Sequence, residues 1–227
     1  MFVPSYAPPP IEIRDNVADA GYRVRLGFIR RVLHLFTFAL TTSFAISLIP
    51  VADLSSALPI GIAFGLLLLL NIVRNVAKGR RMEVVVSTGL LIPMLVALGF
   101  SLRMFHLEGW TCWPFLASFI FVWLYGTLCG RDLSFMGMLV LPMSLSLVTW
   151  ISADILNLAG NWSWWFGALT NLVILFYFVY DLAAMLTRRR LGEEPGAVCD
   201  LFRDSLNFTT YWLQVYWHWR KYPLWQR

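Results

Sequence analysis

Six apolar runs of roughly 20 residues, joined by short polar connections, occupy most of the chain. The runs begin near Val32, Ala57, Val84, Trp113, Phe135 and Trp164. A helix needs about 20 residues to cross the hydrocarbon core of a bilayer, and a chain inside that core must satisfy its own backbone hydrogen bonds. The sequence therefore predicts an all-α fold, a polytopic membrane helix bundle.

The composition agrees with a membrane protein and leaves no room for a separate soluble domain. Of the 227 residues, 59% are hydrophobic and only 14% are charged, against about 25% charged residues in a typical soluble domain. The net charge of +5 requires no nucleic-acid partner, because the basic residues cluster in the connections between apolar runs. The lipid bilayer is therefore the partner that the composition indicates.

The distribution of Lys and Arg predicts the topology, since cytosolic loops carry an excess of both. Alternate connections hold five, four, one and three basic residues, whereas the intervening connections hold none, one and none. This pattern places the N-terminus in the cytosol. We divide the chain into a cytosolic N-terminal tail with a basic amphipathic entry (1–31), a transmembrane bundle (32–215) and a basic aromatic C-terminal tail (216–227). We expect residues 1–20 to be flexible.

The segment 197–215 differs from the six apolar runs because it carries several polar side chains. These are Asp200, Arg203, Asp204, Asn207 and Gln214. A helix with this composition cannot face lipid. We expect it either to form a central helix enclosed by the other six or to be re-entrant and return to the cytosol. The bundle is thus predicted to have about seven helices, the last one central or re-entrant.

No residue pattern predicts an enzyme, a cofactor or a structural metal site. Cys112, Cys129 and Cys199 are odd in number and lack metal-ligand spacing, so neither a disulfide framework nor a zinc site is indicated. Tyr180 and Asp181 together are similar to the first motif of intramembrane aspartyl proteases. Asp204, however, lacks the Gly-x-Gly that precedes the second aspartate of those enzymes.

Two carboxylates, Asp181 and Asp204, lie in membrane-like sequence, where a charged group costs about 2.5–3.5 kcal/mol on insertion scales. They lie on either side of the polar turn 188–195. If the two helices pack antiparallel, the carboxylates meet inside the bundle. Carboxylates that meet in a low dielectric share one proton, so the pair would act as a pH switch. The plainer alternative is that both residues only tie two helices together through hydrogen bonds.

Several stretches of the chain resemble one known family, the transmembrane Bax-inhibitor-motif proteins. FVYDLAAML, followed after a polar turn by LFRDSLNF, resembles the closing signature of that family. RLGFIRRVLHLFTFAL is similar to the family's entry into its first helix, and LYGTLCGRDLSFMGMLV to its fourth and fifth helices, most of all in the Golgi anti-apoptotic branch. The resemblance covers nearly the whole chain in order. Its divergence and its Trp-rich end resemble a viral, cytomegalovirus-type member of the family.

The resemblance implies roles for individual residues. Asp181 and Asp204 match the family's di-aspartyl pair, which implies a pH-sensitive calcium leak with calcium held transiently between them. Asn207 matches the motif asparagine, and it and Asp200 would supply further oxygen ligands, since calcium prefers six to eight. Arg203 departs from the motif, because it replaces an apolar residue, and its charge would oppose calcium entry if it faced the pore.

The implied function is a calcium-permeable channel of the endoplasmic reticulum or Golgi membrane that lowers store calcium and thereby inhibits apoptosis. Calcium would be the permeant ion and not a resident cofactor. The alternative is a non-conducting regulator that binds cell-death or receptor proteins through the aromatic tail, residues 216–227. Ile92 stands where many members of the family carry a glutamate in the third helix. That departure bears on proton coupling.

Overall fold

The computed structural model describes residues 13–50, 57–77, 81–128 and 135–204. Within these residues the chain forms seven α-helices and no β-strand. The helices are α1 (Tyr22–Ser47), α2 (Ala57–Ala77), α3 (Arg81–Leu107), α4 (Trp113–Leu128), α5 (Phe135–Ile155), α6 (Trp164–Ala184) and α7 (Glu194–Asp204). The predicted all-α bundle of about seven helices is confirmed.

Four of these helices, α2, α3, α5 and α6, are long and apolar enough to cross a membrane. α4 is equally apolar but has 16 residues. The outside of the bundle is covered by large apolar side chains, among them Phe38, Ile92 and Val148, which are 72%, 64% and 61% exposed. Soluble proteins rarely expose apolar surface on this scale. The fold is therefore that of an integral membrane protein.

The basic entry and the first apolar run form one continuous helix, because α1 begins at Tyr22. Two arginines of its first half fix it to other elements. Arg30 Nε donates a hydrogen bond of 3.0 Å to the Gly126 carbonyl at the end of α4. Arg31 forms a 2.8 Å salt bridge with Glu194 at the start of α7. These contacts fix the polar part of α1 against α4 and α7.

Residues 13–20 form what we call the N-terminal strap, which lies across one end of the bundle. The Ile13 amide donates to the Thr187 carbonyl at 3.2 Å, and the Val17 amide to the Arg189 carbonyl at 2.9 Å. Val17 opens a short 3-10 helix, Val17–Asp19, and is fully buried. Backbone groups of the strap thus find partners on the segment after α6, whereas residues 1–12 lie outside the described residues, and the expected flexibility of residues 1–20 stays a prediction.

The seventh helix is buried as far as the structure describes it. Its described residues contact α1, α2, α3 and α6. Phe202 joins an aromatic cluster in which Phe36 is the centre, with ring centroids 4.9 Å from Phe202 and 4.8 Å from Phe178. Residues 205–215 lie outside the described residues, so the choice between a central and a re-entrant helix stays a prediction.

Gly99 marks the closest approach of α1 and α3. A Cβ added at Gly99 would lie 2.7 Å from the Cβ of Ile46 and 2.7 Å from the carbonyl oxygen of Ser43. The Ser43 hydroxyl donates across the same interface to the Leu95 carbonyl at 3.0 Å. Small residues at such interfaces let two helix backbones approach closely within a membrane. The absence of a side chain at Gly99 therefore sets the distance between α1 and α3.

We predict that Gly99→Ala destabilises the bundle by about 1–3 kcal/mol, because the new methyl group forces the two helices apart. Gly89→Ala is the matched control in the same helix, since a Cβ there meets nothing within 4 Å. It should be neutral or stabilise by up to about 1 kcal/mol through helix propensity. The measurement is the unfolding midpoint of both purified variants in detergent. Equal midpoints would contradict the close approach.

Candidate functional site

The buried charged residues of the described chain converge at one end of the bundle, which we call the basic end. There α2 and α6 end and α3 and α7 begin, and the strap lies across them. Short connections bring these helix ends together: α6 runs into a 3-10 turn, Met185–Thr187, and α7 begins at Glu194. Because the connections are short, side chains from four helix ends meet in a small volume.

Arg189 is the centre of this site. Its guanidinium donates to both carboxylate oxygens of Asp200, from Nε to Oδ2 at 2.6 Å and from Nη2 to Oδ1 at 2.7 Å. It also donates to both oxygens of Glu83, from Nη1 at 2.9 Å and from Nη2 at 3.1 Å. Arg189 and Glu83 are each 1% exposed, and Asp200 is fully buried. The planar guanidinium fork suits such paired contacts, which Lys could not make.

Two further arginines extend the contacts of Arg189 into a chain of alternating charge. Arg74 Nη1 lies 3.3 Å from Glu83 Oε2, and Arg203 Nη1 lies 2.7 Å from Asp200 Oδ1. We call Arg74, Glu83, Arg189, Asp200 and Arg203 the ionic network. It joins α2, α3, α7 and the segment after α6. Buried charges are tolerated only when they are paired and hydrogen-bonded, so the network fixes the relative positions of these elements.

Arg189 and Asp200 lie outside the four membrane-spanning helices, and each stabilises the charge of the other. Burial alone would raise the pKa of Asp200, but the guanidinium groups of Arg203 and Arg189 hold it well below its usual range. Burial alone would lower the pKa of Arg189, but the carboxylates of Asp200 and Glu83 raise it above its usual range. Both groups therefore stay charged throughout the physiological pH range.

Asp181 forms a second buried contact near the ionic network. It lies in the last turn of α6, is 1% exposed, and has its Oδ1 3.3 Å from Nη1 of Arg188. Arg188 is itself only 6% exposed. A carboxylate at this position in a membrane-spanning helix is thus paired with an arginine from the segment that follows the helix.

The predicted di-aspartyl pair is only partly described. Asp204 is the last residue of α7, one turn after Asp200, but its side chain lies outside the described part of the chain, as does Asn207. The pairing of Asp181 with Asp204 therefore stays a prediction. Asp200 and Arg203, predicted as supporting residues of a calcium site, bond to each other in the ionic network.

No group of three or more His, Cys, Asp or Glu side chains within the described ranges is arranged to hold a metal ion. Both oxygens of Asp200 already accept hydrogen bonds from arginine. Asp200 therefore serves the ionic network in this arrangement, and calcium would need oxygen ligands from elsewhere.

Sequence reasoning missed the centre of the site. From the sequence, the basic residues of the connections, which include Arg74, Arg188 and Arg189, are interpreted only as determinants of topology, and Glu83 is given no role. The signal was present in α3, where Glu83 is the only acidic residue and lies in the first turn. An acidic residue that opens an apolar helix beside a cluster of arginines indicates a pair, although it does not say which arginine takes part.

A separate polar cluster lies within the membrane-spanning part of the bundle. Asn171 Nδ2 of α6 donates to the Ser118 hydroxyl of α4 at 2.7 Å, and the Ser146 hydroxyl of α5 donates to the same oxygen at 2.8 Å. All three side chains are fully buried. Interhelical hydrogen bonds of this kind hold membrane helices together. This cluster therefore joins α4, α5 and α6, which the ionic network does not connect.

No protein-family model, curated protein or solved structure matches the chain significantly.

We predict that Asp200→Asn destabilises the protein by about 3–5 kcal/mol, because it leaves Arg189 and Arg203 buried without one of their counter-ions. Glu194→Gln is the control, since its partner Arg31 is 56% exposed, so water can solvate the arginine when the pair is lost and the variant should lose less stability than Asp200→Asn. Unfolding midpoints in detergent test both. A variant of Asp200 as stable as the control would show that the network does not hold the basic end.

The second prediction concerns the pH dependence of the same variant. The folded pKa of Asp200 lies below its unfolded value of about 3.9, so its ionised form stabilises the fold above that value. The stability difference between wild type and Asp200→Asn should therefore be constant from about pH 5.5 to 8. It should shrink as the pH falls below about 4. A difference that changes near pH 6.5 would contradict this assignment.

Proposed function

We propose that the protein is a cation leak of intracellular membranes, with calcium as the permeant ion, and that it belongs to the transmembrane Bax-inhibitor-motif family that its motifs resemble. The observation that carries this proposal is the burial of Asp181 in the last turn of a membrane-spanning helix. Ionisable residues at such positions are costly and commonly mark ion or proton pathways. Endoplasmic reticulum or Golgi membranes are the proposed location, and inhibition of apoptosis through lower store calcium the proposed consequence.

The contacts of the basic end fit a closed state of such a pathway. Arg188 lies against Asp181, and a guanidinium at that position repels an approaching divalent cation. The ionic network meanwhile holds the ends of α2, α3 and α7 together. Opening therefore requires Arg188 to leave Asp181, which exposes the buried carboxylate to a cation.

The pH dependence of the leak is assigned to Asp181 and Asp204. A pair of carboxylates that shares one proton changes its net charge when the proton is lost, and the resulting repulsion separates α6 from α7. Asp200 is a poor candidate for this role because its pKa is far below the range of cellular pH. In this proposal Asp181 and Asp204 titrate, whereas Asp200 keeps the helix ends in place.

The second candidate is a non-conducting regulator that binds cell-death or receptor proteins. The observation in its favour is that the described carboxylates at the basic end pair with arginines, as residues with a purely structural role would. Its proposed binding element is the aromatic tail, residues 216–227, which lies outside the described residues. Deletion of the chain after Tyr216 separates the candidates, since a leak would persist and tail-dependent binding would be lost.

We predict that Asp181→Asn and Asp204→Asn both change calcium efflux from reconstituted vesicles and abolish its dependence on pH between about 5.5 and 8. An asparagine cannot share the proton but nearly preserves the size of the side chain. Arg188→Gln should increase efflux, because it removes the cation that lies against Asp181. Asp154→Asn is the matched control, since Asp154 is exposed and lies at the end of α5 opposite to the basic end.

Efflux should be compared at equal amounts of folded protein, measured by size-exclusion chromatography before reconstitution. If both asparagine variants follow the wild-type curve at every pH, the carboxylates are structural and the leak proposal is wrong. A wild-type protein that passes no calcium at any pH would favour the regulator.

A further inference from the structure

An open groove runs along the outside of the bundle between α1 and α3. Its volume is about 370 Å³, within the range of about 300–1,000 Å³ that is usual for sites of small molecules. Its rim carries exposed apolar side chains, among them Phe38, Ile92 and Val96. Its floor includes Val198 of α7, which is 2% exposed. Three helices therefore form one concave apolar surface on the lipid-facing side of the bundle.

The two threonines that line this groove direct their hydroxyl groups to their own helices. Thr42 Oγ1 donates to the Phe38 carbonyl at 2.8 Å, and Thr88 Oγ1 donates to the Val84 carbonyl at 2.7 Å. The other described residues of the lining are apolar. A polar ligand would lose its hydration here without gaining a donor from these side chains, whereas a hydrocarbon chain has no hydrogen bonds to lose. The groove therefore selects an apolar occupant.

The length of the groove matches one leaflet of a bilayer. On α1 the groove extends from Leu35 to Ile46, a rise of roughly 17 Å at about 1.5 Å per residue. Half of the hydrocarbon core of a bilayer is about 15 Å thick. Ile46 lies where α1 and α3 approach most closely, since a Cβ at Gly99 would lie 2.7 Å from the Cβ of Ile46. The groove thus ends where the two helices meet, about one leaflet from its start.

Exposed arginines lie beyond the end of the groove that is nearer the basic end. Arg31 is four residues before Leu35 in α1, so the two side chains lie on the same face of the helix. Arg81 is seven residues, or about two turns, before Thr88 in α3. Arg31 pairs with Glu194 but is still 56% exposed, and Arg81 is exposed as well. Guanidinium groups are good donors to phosphate, so donors are present at the level where a phospholipid carries its phosphate.

We propose that the groove binds one phospholipid from the leaflet next to the basic end, with an acyl chain in the groove and the phosphate beside Arg31 and Arg81. A concave site built from three helices holds one chain while the lipids around it exchange. The chain contacts α1, α3 and, through Pro195 and Val198, the beginning of α7. Because α7 also carries Asp200 of the ionic network, the lipid stabilises the basic end, whether or not the protein conducts calcium.

The test is photolabelling of the purified full-length protein in detergent, with a phosphatidylcholine that carries a diazirine near the end of one acyl chain. Unlabelled phosphatidylcholine should compete away the labelling around Ile46 and Val96, because a single site saturates. Labelling around Val148, which is 61% exposed on α5, should not be competed. The diacylglycerol with the same chains should compete less well, since it lacks the phosphate. A diazirine near the carboxyl end of the chain should move the competed labelling towards Leu35.

Thr42→Trp fills the groove, and Thr41→Trp is its matched control. Both threonines donate their hydroxyl to the carbonyl four residues earlier, but of the two only Thr42 lines the groove. We expect Thr42→Trp to lose the competed labelling and Thr41→Trp to retain it. Size-exclusion chromatography before labelling ensures that equal amounts of folded protein are compared.

The labelling of the wild-type protein decides the matter even where Thr42→Trp does not fold. If no labelling around Ile46 and Val96 is competed, the groove holds only exchanging bulk lipid and the proposal is wrong. Equal competition by diacylglycerol would show that the phosphate contributes nothing, which overturns the assignment to a phospholipid. Equal loss of labelling in both tryptophan variants would show a general surface effect. A wild-type dimer that Thr42→Trp converts to a monomer would mean that a second copy of the chain occupies the groove, which also refutes the proposal.

Discussion

The rest of the basic end depends on one buried guanidinium, that of Arg189. A charge removed from water must find its hydrogen bonds inside the protein, and Arg189 finds them on α3 through Glu83 and on α7 through Asp200. Its main-chain carbonyl also accepts the amide of Val17 from the strap. One residue thereby fixes two helix ends and the path of the N-terminal segment, and a shift of any of these elements would leave a charge unpaired.

Asp181 lies close to the helix ends that Arg189 fixes. At the centre of the ionic network, the mutual contact of Arg189 and Asp200 raises the pKa of Arg189 and lowers the pKa of Asp200, so this pair stays charged across the physiological pH range. Asp181 and Arg188 lie at the same end of α6 and contact each other at 3.3 Å. In the proposed leak, the contacts of Arg189 with Glu83 and Asp200 would hold the helix ends while Arg188 leaves Asp181.

The membrane helices could be predicted from the sequence because bilayer thickness sets the length of an apolar run, and α2, α4, α5 and α6 begin where the sequence indicated. The partners of the charged residues could not be predicted from the sequence. Glu83 and Arg189 are separated by 106 residues, and neither helical periodicity nor loop charge tells which arginine a carboxylate will meet. The strap was missed for a similar reason, since its hydrogen bonds are made by main-chain groups that every residue carries. Asp181 was singled out correctly as a buried charge, whereas its contact with Arg188 emerged only from the fold.

The strap also constrains the order in which the chain assembles during its synthesis. The first part of the strap leaves the ribosome long before its partners, since Arg14 and Arg190, which share a hydrogen bond, are 176 residues apart. Arg31 likewise waits for Glu194, 163 residues later. The strap can therefore take its place only after the sixth helix has been made, and until then the basic end of the nascent bundle stays open to the translocation machinery and to chaperones.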